Sequence, residues 1–293
     1  MDKVSYAQAY SIALGLFSSR FSHIERGNNN WVFESGDSIL TIPRHERVKS
    51  YAIRVNATQF LGSKGIPVPE ILDYSPEKNE TPEYLLVKKV KGANIELSKS
   101  SSEEREKIHQ SAGEILRELH NLTCSRYGRL NSDLFGEEDS WIAFTDKFFT
   151  ESIKRVRLSP GLYEQFGKIL EEEYESSRSQ ISSFFHPSFL HADFHLGNLL
   201  FKNGKVSAIL DIDIVTSGDT NWDTGHYCHT FNIDRVNGIK NFRAGYDKDA
   251  DLDKERLYCI MIWARKIGSQ VTQRPEALKE TIPELERILR REI

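Results

Sequence analysis

The stretch that decides the fold is residues 191–213, HADFHLGNLLFKNGKVSAILDID. It starts with a polar turn, enters an apolar run, turns at Asn203-Gly204 and returns through a second apolar run that ends on two acids. The pattern predicts a β-hairpin that holds Asp193, Asn198 and Asp211 around one point. A carboxylate, an amide and a second carboxylate suit phosphoryl transfer, because the reaction needs a proton acceptor and oxygen ligands for Mg²⁺.

This stretch resembles the catalytic segment of the aminoglycoside phosphotransferase and choline-kinase-like family. The shared pattern is H-x-D-x-x-x-x-N, followed about a dozen residues later by an apolar strand that ends in Asp. Residues 127–130 and 141–144 resemble the family's G-[FY]-G…W-x-x-F stretch, most nearly in its hygromycin-type members. That family shares its core fold with the protein kinases. The resemblance therefore implies an α+β fold with two lobes, a small β-rich nucleotide-binding lobe over residues 1–90 and a larger helical catalytic and substrate-binding lobe over residues 91–293.

The resemblance also assigns roles to single side chains. Asp193 would orient the acceptor hydroxyl and accept its proton, while His191 would fix the loop. Asn198 and Asp211 would bind Mg²⁺, helped by Asp213, and the phosphoryl group of ATP or GTP would pass directly in line. The alternative is a purely structural role for these residues. His191 and Asp193 would then cap a turn, and Asn198 would form hydrogen bonds with the loop backbone.

Length and composition describe an ordinary globular enzyme. A chain of 293 residues with 39% hydrophobic and 28% charged residues can bury a sizeable core. The net charge of -4 argues against general nucleic-acid binding and is compatible with a cationic small substrate. Three scattered cysteines indicate reduced thiols, and the apolar runs are too short for a signal peptide or a membrane span. We therefore expect a cytoplasmic protein, either a monomer or a homodimer.

The chain before residue 90 supplies the candidates for nucleotide binding. A polar turn feeds a strand, and Gly36-Asp37 predicts a hairpin to the next strand. In the resembled family this hairpin covers the nucleotide phosphates through backbone amides, although an ordinary hairpin has the same signature. The residues expected in that role are Gly27, Asn28 and Asn29. A further strand leads to the hinge, where backbone groups from Lys88 to Val90 would contact the adenine.

One strand departs from the family pattern. Thr41 stands where the family usually has the Lys or Arg that holds the α- and β-phosphates. The next helix has Arg54 and Asn56 near the position of the Glu that usually pairs with that cation. Either Arg44 or Arg54 supplies the charge, or nucleotide binding is altered or weak. For each arginine alone, a solvated surface position is the simpler interpretation.

The chain after residue 91 reads mainly as helices, apart from the catalytic hairpin and a loop expected at residues 127–130. The expected helices cover about 102–121, 159–182, 221–231, 252–269 and 282–291. In relatives, a G-D-x-x-x-D segment starts a helix that braces the catalytic loop, so Asp219 and Asp223 are predicted supports. Asp247 and Asp249 could bind a cationic acceptor, although capping of the next helix is the favoured role for acids in that tract.

The preferred function is Mg²⁺-dependent phosphorylation of a small-molecule hydroxyl, with an aminoglycoside antibiotic as the preferred acceptor. A kinase of a choline-, homoserine- or sugar-like metabolite is the alternative within the same chemistry. A metallohydrolase could instead hold zinc with His191, Asp193 and His195, although only His226 offers a further ligand nearby in sequence. The unusual Thr41 leaves a nucleotide-binding pseudokinase as the last alternative.

Overall fold

A computed structural model describes residues 4–17, 20–24, 30–44, 51–77, 82–181, 186–230 and 235–290. The chain forms two compact units. The first consists of Met1–Ile95, Asn131–Leu134 and Gly197–Asp213, and the second of Glu96–Leu130, Phe135–Leu196 and Ile214–Ile293. Most described strands lie in the first unit and most helices in the second, which confirms the predicted α+β class. The predicted lobe boundary at residues 90 and 91 stays a prediction.

An antiparallel sheet forms the centre of the first unit, with strand order β1-β2-β3-β5-β4. Its strands are β1 (Ser22–His23), β2 (Asn30–Ser35), β3 (Ser38–Pro43), β4 (Ile71–Ser75) and β5 (Tyr84–Lys88). Helices α1 (Tyr6–Phe17) and α2 (Tyr51–Ser63) accompany it. Ser5 caps α1, because its hydroxyl accepts from the backbone amide of Gln8 at 3.3 Å.

The predicted catalytic hairpin lies in the first unit, although it is distant in sequence from the N-terminal strands. It consists of β9 (Leu199–Lys202) and β10 (Lys205–Ile209), which follow three strands of the second unit in chain order. Asn203 and Gly204 have φ values of 54° and 75°, as a two-residue hairpin turn requires. The side-chain amide of Asn94 donates to the carbonyl of Gly197 at 2.8 Å, and the Ile209 N–H donates to the Pro67 carbonyl at 2.8 Å. These bonds attach the predicted hairpin to the sheet unit.

The second unit combines helices with a small sheet of order β7-β6-β11-β8. Its strands are β6 (Tyr127–Leu130), β7 (Gly136–Glu138), β8 (Ser188–Leu190) and β11 (Thr216–Gly218). Its helices are α3 (Ser102–His120), α4 (Trp141–Val156), α5 (Pro160–Leu162), α6 (Lys168–Ile181), α7 (Asn221–Thr230), α8 (Arg235–Tyr246), α9 (Leu252–Gln273) and α10 (Leu278–Leu289). Aromatic side chains of α4, α7 and α9 pack in its core, among them Trp141, Trp222 and Tyr258. Among the described helices, none is long and apolar enough to cross a bilayer.

Local signals explain the agreement between prediction and structure at α3. Ser101 accepts from the Glu104 amide at 3.2 Å, and the Glu104 carboxylate accepts from the Ser101 amide at 2.8 Å. This capping box satisfies two amides that the first helical turn would otherwise leave without partners.

Other elements differ from the prediction. The loop expected at residues 127–130 is strand β6, because it pairs with Thr216 and Ser217 of β11. The single helix expected over residues 159–182 contains a π-turn at Tyr163–Gly167. The last helix begins at Leu278 rather than near residue 282, after a short 3₁₀ turn.

Helix α8 is not indicated by the sequence pattern. It contains Gly238 and Gly245, which disfavour an isolated helix. A Cβ added at Gly245 would lie 2.0 Å from the carbonyl oxygen of Gln110, so the missing side chain allows α8 to approach α3 backbone to backbone. Tertiary packing therefore stabilises a helix that local propensity does not favour.

Candidate active site

The loop that carries Asp193 follows β8 in the second unit and is held by one buried carboxylate. Asp223, on α7, accepts from the amide of His191 at 2.7 Å and from the amide of Ala192 at 2.8 Å. The Asp193 amide donates to Nδ1 of His191 at 3.2 Å. Ala192 has a φ of 66°, a conformation that disfavours side chains larger than hydrogen. The backbone at Asp193 is thus fixed by its two preceding residues, and Asp223 lies where a brace was predicted.

A second buried contact orients Asp223. Nε2 of His120 lies 3.2 Å from an Asp223 oxygen, and Nδ1 of His120 lies 2.7 Å from the hydroxyl of Tyr246. Burial lowers the pKa of His120 despite the neighbouring carboxylate, so the ring is neutral at pH 7. A neutral ring can donate from Nε2 to Asp223 and accept at Nδ1 from the tyrosine hydroxyl. His120, Asp223 and Tyr246 therefore form one hydrogen-bonded chain behind the loop.

The carboxylate of Asp193 lies between two imidazoles, with its side chain 40% exposed. Nε2 of His195 is 3.7 Å from Oδ2, and Nε2 of His226 is 3.7 Å from Oδ1. Burial raises the pKa of Asp193, but the imidazoles of His195, His226 and His191 outweigh it and lower that pKa to about 2. Asp193 is consequently ionised at neutral pH, the state that can accept a hydrogen bond from a hydroxyl.

In the first unit, the predicted metal ligands Asn198 and Asp211 lie at the same end of the paired strands β9 and β10. The Leu210 N–H donates to the carbonyl of Asn198 at 2.8 Å, which extends the β9–β10 pairing toward Asp211. Asn198 is buried, whereas Asp211 is exposed and has a φ of 54°. Amide and carboxylate oxygens are the ligands that Mg²⁺ prefers, so this pair of side chains fits that ion chemically.

The two candidate phosphate-binding arginines have different surroundings. Arg54 on α2 has a side chain only 13% exposed, and its Nε lies 3.5 Å from Oδ1 of Asp213. Burial lowers the pKa of Arg54, but Asp213 and Asp211 outweigh that effect and raise it. The guanidinium of Arg44 instead lies 4.4 Å from the ring centre of Trp31. A solvated surface position, the simpler interpretation from sequence, is therefore wrong for Arg54, because a carboxylate far away in the chain compensates its buried charge.

Thr41 does not take the place of a cation. Its buried hydroxyl donates to the carbonyl of Leu85 at 3.3 Å across the β3–β5 pair. Lys88 ends β5, where its ammonium group binds the carboxylate of Glu70 at 2.9 Å, and Val90 follows two residues later. The predicted phosphate-binding turn at Gly27, Asn28 and Asn29 lies outside the described residues.

The acidic tract before α9 is partly engaged in structural contacts. Asp251 caps α9 by accepting from the Lys254 amide at 3.1 Å. Asp247 has a φ of 50° and lies 3.4 Å from Nη1 of Arg117. Asp249 is exposed. The capping interpretation thus holds for Asp251, and a role of Asp247 and Asp249 in acceptor binding stays a prediction.

Sequence reasoning does not identify His226 and His120 as neighbours of the loop. A partial signal is present, since His120 continues the apolar positions of α3 and His226 follows Asp223 by three residues on α7. Within the described ranges, no three His, Cys, Asp or Glu side chains are grouped to hold a metal ion. The zinc alternative built on His191, Asp193 and His195 therefore gains no support from the geometry.

Comparisons with known proteins bear on the family and the fold. The profile of the phosphotransferase enzyme family matches residues 21–258. Among solved structures, the chain is similar to a thermostable mutant of aminoglycoside phosphotransferase APH(4)-Ia in a ternary complex with AMP-PNP and hygromycin B, at 15% identity and a TM-score of 0.74, over 96% of this chain and 97% of that one.

Two more solved structures are similar over nearly their full lengths. ADP-bound aminoglycoside phosphotransferase APH(2'')-Ib has 15% identity and a TM-score of 0.67, with 97% of this chain and 99% of that one covered. The streptomycin–ATP–APH(2'')-IIa ternary complex has 16% identity and a TM-score of 0.64, with 98% and 99% covered. No curated protein matches the chain. These likenesses confirm the predicted protein-kinase-like fold.

Proposed function

The chain belongs to the phosphotransferase enzyme family, and from this premise we propose that it transfers the terminal phosphoryl group of ATP or GTP to a hydroxyl of a small molecule. The observation that carries the proposal is the carboxylate of Asp193, which lies between two imidazoles on a loop fixed by Asp223. An aligned carboxylate can orient an acceptor hydroxyl and take its proton as the new bond to phosphorus forms. His191 contributes by accepting from the Asp193 amide.

Asn198 and Asp211 are the residues that would hold Mg²⁺, and Asp213 lies next to them in the chain. The ion, when bound with the nucleotide, would neutralise charge on the phosphates. Arg54 lies beside Asp213, so it is placed to balance these carboxylates and to contribute positive charge near the phosphates. Arg44 stays the second candidate for the phosphates.

Two acceptor classes are compatible with this site. The similar solved structures include complexes with hygromycin B and with streptomycin, which favours an aminoglycoside for this chain as well. A metabolic alcohol is the second candidate, because the pairing of Asp247 with Arg117 and the capping role of Asp251 leave fewer acids for a polycation. We further propose a cytoplasmic location, in keeping with a nucleotide donor and three free cysteines.

The decisive experiment measures nucleotide consumption with Mg²⁺ against a panel of aminoglycosides, choline, homoserine and simple sugars. We expect turnover that depends on one acceptor class. Asp193→Asn should lower kcat by about 10²–10⁴-fold, the usual contribution of a general base. Asp211→Asn should abolish turnover and weaken Mg²⁺-dependent nucleotide binding in calorimetry, because a neutral amide holds the ion poorly.

Asp139→Asn is the matched control, since Asp139 is an exposed acid of the second unit that forms a surface ion pair with Arg126. It should leave turnover unchanged. Stoichiometric zinc whose removal ends activity would replace the proposal with a hydrolase. Tight nucleotide binding without phosphorylation of any hydroxyl would replace it with a pseudokinase.

Substrate charge has its own test. Neutralising Asp247 and Asp249 together should raise the acceptor KM while the nucleotide KM stays constant, if the acceptor is an aminoglycoside, and the effect should shrink at high salt. Turnover of a neutral or anionic alcohol, with no binding of aminoglycosides, would reject the antibiotic acceptor and leave the phosphotransferase proposal in place.

A further inference from the structure

A buried histidine contacts the proposed general base from outside the catalytic loop. His226 lies on α7, three residues after Asp223, and its side chain is 9% exposed. Its Nε2 faces Oδ1 of Asp193 at 3.7 Å, while Nε2 of His195 faces Oδ2 at the same distance. The two rings are nearly perpendicular, with centroids 5.9 Å apart. Each oxygen of one carboxylate therefore has its own imidazole.

The two imidazoles are held by different parts of the chain. His195 belongs to the loop itself, whereas His226 projects from the helix that also carries Asp223, the acceptor of the His191 and Ala192 amides. The same rigid helix thus fixes the backbone before Asp193 through one side chain and contacts its carboxylate through another. Such support from regular structure restricts a side chain more than loop contacts alone.

The electrostatic state of His226 suits a hydrogen-bond donor. Burial lowers the pKa of His226 to about 4. Asp193 and Asp223 act in the opposite direction, whereas His195 and Lys266 lower this pKa further. The ring is therefore neutral at pH 7, and a proton on Nε2 would point at the carboxylate.

We propose that His226 is a positioning residue for Asp193. Its Nε2 faces Oδ1 while that of His195 faces Oδ2, each at 3.7 Å, and both contacts shorten to hydrogen bonds when the acceptor hydroxyl binds, so that the carboxylate presents one fixed orientation to it. This inference rests on the proposed phosphotransferase function. It adds a residue outside the loop motif, and its effect should appear in the chemical step rather than in nucleotide binding.

The first test compares His226→Ala, His226→Gln and His229→Gln. His229 is the matched control, because it is a buried histidine three residues farther along α7. If the 3.7 Å contact of His226 shortens to a hydrogen bond to the charged carboxylate in the reacting complex, its loss corresponds to about a 10–100-fold effect. We expect His226→Ala to lower kcat by that factor with unchanged nucleotide affinity, and His226→Gln, which retains an N–H donor, to recover most of the loss. His229→Gln should leave kcat within about twofold.

The acid side of the pH–rate profile gives a readout that a purely structural role would not change. Since burial alone raises the pKa of Asp193, removing an imidazole should move the acid limb of His226→Ala to higher pH. An unchanged kcat in His226→Ala would overturn the proposal. So would equal losses in His226→Gln and His226→Ala, or a loss in His229→Gln as large as that in His226→Ala.

A second measurement needs no turnover and keeps the proposal testable if His226→Ala does not fold. In ¹⁵N-histidine NMR, the His226 signals, identified by their loss in His226→Gln, should report a neutral ring protonated on Nε2 from pH 5 to 8. Asp193→Asn should shift those signals and leave the His229 signals in place. The contact would be refuted if the His226 ring titrated near pH 6.5, or if its signals did not shift in Asp193→Asn. Either result would count even in an enzyme that phosphorylates its acceptor. Absence of any phosphorylated acceptor, with the NMR result as expected, would reject the proposed function and retain the contact.

Discussion

Replacing Asp223 with Asn should weaken the second unit and its proposed catalytic loop together. The carboxylate is fully buried and accepts two backbone amides at 2.7 and 2.8 Å, besides the imidazole of His120 at 3.2 Å. In Asp223→Asn one oxygen becomes an NH₂ group, which faces an N–H donor. The variant loses at least one charge-assisted hydrogen bond, worth about 1.5–3 kcal/mol, and leaves a buried donor unpaired at a cost of about 1–3 kcal/mol. We therefore expect a loss of about 3 kcal/mol in the free energy of unfolding.

Urea unfolding followed by tryptophan fluorescence measures this loss, because Trp141, Trp222 and Trp263 lie in the second unit and only Trp31 lies in the first. The kcat should also fall, since the amides of the loop lose their common acceptor. Nucleotide affinity should stay constant, because the proposed metal ligands belong to the first unit. An Asp223→Asn enzyme with stability within about 0.5 kcal/mol of wild type and normal kcat would refute this reasoning. Asp139→Asn serves again as the exposed control.

Three smaller changes test other features of the structure. Ala192→Gly should stabilise the protein by about 0.5–1 kcal/mol in calorimetry, because a φ of 66° strains alanine, and a lower melting temperature would contradict this. Gly218→Ala should destabilise by about 1–3 kcal/mol, since its Cβ would lie 2.1 Å from a buried indole ring, whereas Gly161→Ala has open space and should be neutral or mildly stabilising. Arg178 lowers the pKa of Asp146 by a hydrogen bond, so Arg178→Gln should be less stable than wild type at neutral pH, and the difference in urea midpoints should vanish as the pH falls below about 4.

The sign of that pH effect follows from the direction of the shift. The pKa of Asp146 is lower in the folded protein than in the unfolded chain, so the folded state favours the ionised carboxylate. The stabilisation is present above the unfolded pKa of about 3.9 and is lost as the carboxyl becomes protonated in acid. A difference in urea midpoints that persists at pH 2 would point to packing by the Arg178 side chain rather than to its charge.

Short-range signals in the sequence explain what could be predicted of the fold. The turn at Asn203-Gly204 fixes the hairpin, and Ser101 with Glu104 fixes the start of α3. Strand β6 could not be predicted in this way, because its partner β11 lies almost ninety residues later and its pairing with the nearby β7 is interrupted by a register shift. Helix α8 escapes prediction for a similar reason, since its glycines weaken the local signal and allow the close approach that makes the helix stable.

The residues of the candidate site likewise differ in whether local sequence could predict them. Asp193, Asn198 and Asp211 lie within one short stretch, and the resemblance of that stretch to a known catalytic segment is what predicts phosphoryl transfer. His226 and Arg54 could not be placed from sequence, because their partners are fixed by packing between distant segments. In the sequence, a single histidine or arginine on a helix is compatible with many ordinary surface or core positions. Only the distances to Asp193 and Asp213 in the structure show that His226 and Arg54 contact carboxylates.

The hairpin β9–β10 has a consequence for synthesis on the ribosome. The first unit contains the N-terminal segment but also Gly197–Asp213, which supplies the backbone partners of Ala93 and Asn94. A nascent chain that has just exposed residue 95 therefore lacks two strands of this unit. Folding during translation usually completes N-terminal units first, but here the N-terminal unit can close only after residue 213 leaves the exit tunnel, when much of the second unit has already emerged.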